Sequence, residues 1–160
     1  MSVFNKVIEI NLRAKTDAEQ AAAAAAEARQ TVEKQFAAEF HIQIEAIAKP
    51  IFDKFIVDAI AYGFPAKTEF SDDGNSNPSY SLIILPELGS QFGLNTSKNC
   101  VFKIEGKIAS QKVEYVSYYD QRPHKNGIKR QEFGIQSINK TLLERELSEF
   151  LTSAINARAV

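Results

Sequence analysis

The residue types that could do chemistry are concentrated in one stretch, Tyr118-Tyr119-Asp120-Gln121-Arg122-Pro123-His124-Lys125-Asn126-Gly127, continued by Lys129 and Arg130. Arginine and lysine pair with phosphates or carboxylates, and tyrosine stacks on bases or fills a pocket on a partner. Tyr118, Tyr119, Arg122, His124, Lys125, Lys129 and Arg130 are therefore the expected partner-binding residues. A hairpin can also carry such a group into a nucleic-acid groove, which makes nucleic acid the alternative partner. The bland reading is a solvated hairpin tip. Were Asp120, His124 and Tyr119 to converge in a cleft between sheet and helices, they would be the acid–base candidates of an enzyme or small-ligand binder.

No short catalytic motif supports that third reading. The chain has no phosphate-binding glycine loop, no paired-cysteine metal signature, no nucleophile elbow and no His-Glu-x-x-His, so no catalytic residue is assigned. Asp73, Asn75 and Asn77 alternate like calcium ligands, but Pro78 stands where the sharp-turn glycine should be. Ile84 takes the place of the closing carboxylate. With only His41 and His124 as histidines, no metal and no cofactor is expected. The single cysteine, Cys100, excludes an internal disulfide framework and fits a reducing compartment. A net charge of −1 gives no global attraction to nucleic acid or acidic membranes. No apolar run approaches the roughly 20 residues of a membrane span. Asn5, Glu9, Asn11 and Arg13 interrupt any signal-peptide core. The expected location is the cytoplasm, with no membrane partner.

The elements that must position these groups are set by hydrophobic period. Thr16 with Glu19 can form a capping box, and the alanine run Ala21–Ala26 has the highest helix propensity. Apolar residues then recur at steps of three and four through Val32, Phe36, Phe40, Ile44, Ile47, Ile51 and Phe55. Gly63, Phe64 and Pro65 stop the helix. Pro50 removes a donor and disfavours helical angles at Lys49, so a kink or break is expected there, giving helices over 16–48 and 51–62. Residues 3–14 fit a helix or an edge strand equally well.

Past Pro65 the pattern turns to alternation, with strands expected over 67–71, 80–85, 101–108, 113–119 and 128–136. Gly106 could mark a bulge, and Asn126-Gly127 is the strongest hairpin-turn signal. Leu143, Leu147, Phe150, Leu151, Ala154 and Ile155 form the apolar face of a last helix, capped by Asn139 or Thr141. The expected class is α+β: a long N-terminal helix, an antiparallel meander of about four to five strands, and a C-terminal amphipathic helix on one sheet face. The chain is expected to divide into a helical arm, 1–63, and a sheet-plus-helix part, 64–160, that forms one structural unit with the end of the arm.

A helix of thirty-odd residues is about 50 Å long, whereas a domain of this size has a radius of gyration near 15 Å. Ala25, Ala28, Val32, Phe36 and Phe40 would then lie on an overhanging stripe that another molecule must cover. A second copy is the simplest cover, so a homo-oligomer is expected. Function follows as an expectation: a non-catalytic, oligomeric protein-interaction module, of the adaptor or inhibitor kind, presenting a sheet and a basic-aromatic hairpin to a protein partner.

Overall fold

The computed structural model describes residues 2–158. The chain divides into two units between Gln35 and Phe36. The elements are α1 (Val3–Gln43), a π-helical turn (Ile44–Ala48), α2 (Lys49–Tyr62), β1 (Ala66–Ser71), β2 (Ser79–Ile84), β3 (Cys100–Lys107), β4 (Lys112–Asp120), β5 (Gly127–Phe133), a short 3-10 turn (Ile135–Ser137) and α3 (Lys140–Arg158). The strands form one antiparallel sheet in the order β1-β2-β3-β4-β5. This is the α+β helix–meander–helix arrangement that the sequence predicts.

In the first unit, residues 3–14 are helix, which resolves their ambiguity. Helix formation starts at Val3, so Thr16 is no N-cap: it lies inside α1, and its hydroxyl donates to the Leu12 carbonyl at 2.9 Å. Every residue from Ser2 to Val32 is exposed.

The second unit holds the core. Phe36, Phe40, Ile44, Ala48 and Phe52 are buried against Leu82, Ile84, Phe102, Ile104 and Tyr115 of the sheet, together with Leu143, Leu147 and Phe150 of α3. Phe52 stacks on Tyr80 with ring centroids 5.0 Å apart. The five helical members of that core are spaced by four residues. In a regular α-helix each such step overshoots a turn by about 40°, so the series would wander off the sheet. The π turn corrects this. Its wider turn bonds the Lys49 N–H to the Ile44 carbonyl five residues back, so four residues there fall short of a full turn. Lys49 keeps helical angles, φ −60° and ψ −48°, and helical conformation continues through Pro50. The expected break is replaced by a π turn.

The remaining boundaries follow local chemistry. Gly63 takes the left-handed conformation at φ 106°, and its N–H and that of Phe64 satisfy the Ala59 carbonyl. Asn139 caps α3 by accepting from the Leu142 N–H at 2.9 Å, leaving Thr141 inside the helix. The fifth strand is shorter than expected, because the chain turns at Ile135 and the Ser137 hydroxyl meets the Tyr115 hydroxyl at 2.9 Å. Gly106 pairs in unbroken register with Val113, so it is no bulge. No described helix is long and apolar enough to cross a membrane.

Candidate functional site

The β4–β5 connection is longer than the two-residue turn that Asn126-Gly127 suggests. Asp120 pairs with Gly127, and residues 121–126 form the loop, with His124 and Asn126 at φ 70° and 51°. Gly127 serves close approach: a Cβ there would lie 2.6 Å from Asp120 Cβ. Asp120 is 6% exposed and grips Arg122 with both oxygens, accepting from Nε and from Nη2 at 2.9 Å each. Those bonds hold its carboxyl down at about 2 and push the Arg122 guanidinium up. Arg122 Nη2 also donates to the Ala157 carbonyl at 2.8 Å, which satisfies one of the open carbonyls at the end of α3.

The other expected partner-binding residues separate into two groups. Lys129 Nζ donates to Glu149 Oε2 at 2.7 Å, and Arg130 Nη1 to Glu114 Oε1 at 3.0 Å. Tyr118 is half-buried beneath Lys103, whose Nζ stands 5.9 Å from the ring centroid. Tyr119 packs against the core, and its carbonyl accepts from the Cys100 thiol at 3.2 Å. Only His124 and Lys125 are exposed with no ion pair among the described residues. Of the acid–base candidates, Asp120 is held by Arg122, Tyr119 packs against the core and His124 is exposed on the loop. A groove near 660 Å³ lies elsewhere, between α2 and α3, floored by Ile47, Ile51, Phe55, Leu147 and Leu151 and rimmed by Lys54, Asp58, Lys140 and Glu144.

The open face of the sheet carries a cross-strand network of charges. Register sets Glu105, Glu114 and Glu132 directly opposite one another across β3, β4 and β5, an arrangement that repels. Lys107 answers it from the next row, donating to Glu132 and lying 3.0 Å from Glu114; Arg130 answers from the other side. Burial raises the Glu114 carboxyl, but these cations outweigh it and leave it below its ordinary value. Val116, on the same face, is fully covered. On α3, Glu146 is also buried, at 4% exposure, with Arg145 Nη2 donating at 3.4 Å. Cys100 is buried, and that burial pushes its thiol up, away from reactivity. Among the described residues no group of three or more His, Cys, Asp or Glu is placed to hold a metal.

No protein-family model, curated protein or solved structure matches this chain.

The least satisfied surface is apolar. On α1, Val3 is 80% exposed, Phe4 72% and Ile10 65%, with Val7, Ile8, Leu12 and Val32 also open to water. Successive helical residues advance by about 100°, which puts Val3, Val7, Ile10, Ala14, Ala18, Ala21, Ala25, Ala28 and Val32 within a wedge of about 80°. No polar residue falls in that wedge. Of the five expected oligomer-interface residues, Ala25, Ala28 and Val32 lie on this exposed stripe. Phe36 and Phe40, at 7% and 0% exposure, are covered by the chain's own core, so they need no second molecule. The stripe instead extends toward Val3.

Proposed function

We propose that this chain is a non-catalytic assembly protein: α1 joins copies of it, and the second unit offers its sheet and the loop around His124 and Lys125 to a protein partner. The observation that carries the reading is the row of exposed large apolar side chains on α1. Leaving each in water forgoes about 1.5–3 kcal/mol relative to burial. A protein partner is favoured over a phosphate backbone because Arg122, Lys129 and Arg130 each already face a carboxylate of this chain. No reaction is assigned, since the best-placed acid, Asp120, is held by Arg122. The cytoplasm suits a single cysteine kept as a buried thiol.

The test is light scattering across a concentration series, with wild type beside Val7→Glu/Ile10→Glu. Wild type is expected to exceed the mass of one chain, and the variant to fall toward it with helix content retained by circular dichroism. A wild type that stays strictly monomeric at high concentration sinks the reading. For the second half, co-purification with Lys125→Glu should recover less partner than wild type; equal recovery counts against the loop.

A further inference from the structure

We infer that α1 pairs with α1 of a second copy in antiparallel fashion, about a two-fold axis passing between Asp17 and Ala18. The inference rests on the proposed self-association and adds its geometry. Large side chains, Val3, Val7 and Ile10, occupy one end of the stripe, and alanines fill it from Ala14 to Ala28. Helix axes approach to about 8 Å over small residues and stand nearer 10 Å over large ones. Parallel pairing would set Val7 and Ile10 against themselves and prop the helices apart where alanine needs them close. Antiparallel pairing sets Val7 against Ala28, Ile10 against Ala25 and Ala14 against Ala21. Large then meets small except at the two ends, where Val3 meets Val32, and the smallest side chains sit at the crossing point.

A register one eleven-residue step along would bring Ile10 against Phe36, which is buried in the second unit. The 11-residue spacing of Val3, Ala14 and Ala25 keeps the stripe close to parallel with the helix axis. From Val3 to Val32 the contact is about 45 Å long. At roughly 60–120 Å² for each of the four large aliphatic side chains and about 30 Å² for each of the five alanines, it covers about 400–600 Å² per partner, at or below the lower end for specific interfaces. The dimer is accordingly concentration-dependent. A lipid surface is the lesser occupant. Residues 3–32 carry four cations and four anions, without the basic excess of membrane-lying helices, and an alanine stripe offers lipid little area.

Disulfide trapping in the full chain decides the geometry, with Cys100 buried and inert. Ala14→Cys mixed with Ala21→Cys should form cross-linked dimers at least about tenfold faster than either variant alone, because like positions would be separated beyond disulfide reach. Ala18→Cys should cross-link to itself. Ala14→Cys that cross-links to itself as fast as in the mixture makes the pair parallel, which overturns this inference but leaves self-association standing. A monomer by light scattering overturns both. Monomers that bind neutral or anionic phospholipid vesicles assign the stripe to lipid and overturn both as well.

Discussion

The ring of Phe40 lies directly on the backbone of Gly106, so that a Cβ at position 106 would come within 2.9 Å of the ring. Phe40 is fully buried and Gly106 pairs with Val113 in mid-sheet. The glycine is thus the socket that lets the helix bearing Phe40 approach β3. Gly106→Ala is expected to destabilise the protein by about 1–3 kcal/mol through overpacking. Phe40→Ala should cost about 3–5 kcal/mol through the cavity it leaves. Urea unfolding measures both, and the double variant should cost less than the sum, since one change relieves the other. Simple additivity would mean the contact matters little.

The π turn makes a second expectation. Deleting Glu45, which is exposed, would convert Ile44–Ala48 to a regular α-turn and change the core series Phe36, Phe40, Ile44, Ala48, Phe52 from steps of four, four, four, four to four, four, three, four. That is good α spacing, but it restores the clash between the Pro50 ring and the carbonyl four residues back. The deletion alone should therefore cost about 3 kcal/mol or more. Combined with Pro50→Ala, most of the loss should return. Thermal melts of the two proteins would show it; equal melting temperatures would mean that the wide turn does not serve the proline.

Much of this architecture was legible because it depends on local period. The apolar steps of α1 and α3, the alternation of β3 and β4, and the Gly63 stop all follow from residues within a few positions of one another. What was not legible depends on partners distant in sequence. Gly106 read as a bulge because its reason, Phe40, arrives from a helix some sixty residues earlier. Lys129 read as a partner-binding cation because Glu149, which pairs with it, lies on α3. Lys49 read as non-helical because the rule for residues before proline takes no account of a π turn. The stripe on α1 was visible from Ala21 onward, but its extension to Val3 depended on knowing that residues 3–14 are helix.

Acid should unfasten the β4–β5 loop. The Asp120 carboxyl sits at about 2 in the fold against an ordinary 3.8, so its folded value is the lower one. Its contribution is then complete above about pH 5 and is lost as the pH falls toward 2. The amount is on the order of 1–2 kcal/mol, reduced from the bare shift because Arg122 is partly open to water. Asp120→Asn removes this dependence. Urea midpoints of wild type and variant should converge between pH 5 and pH 2; a gap that stays constant across that range would place the stabilisation elsewhere.

The loop cations should separate by role. Arg130→Ala deprives Glu114, whose side chain is 11% exposed, of one of its two cations and should cost about 1 kcal/mol. Lys129→Ala breaks a pair with both members well exposed and should leave the melting temperature nearly unchanged. Lys125→Glu touches no ion pair among the described residues, so it too should melt like wild type. Only Lys125→Glu is expected to lower partner recovery without lowering stability. If instead Arg130→Ala and Lys129→Ala weaken binding to DNA or RNA, and that binding falls steeply with salt, then these cations leave their carboxylates for phosphate and the partner is a nucleic acid.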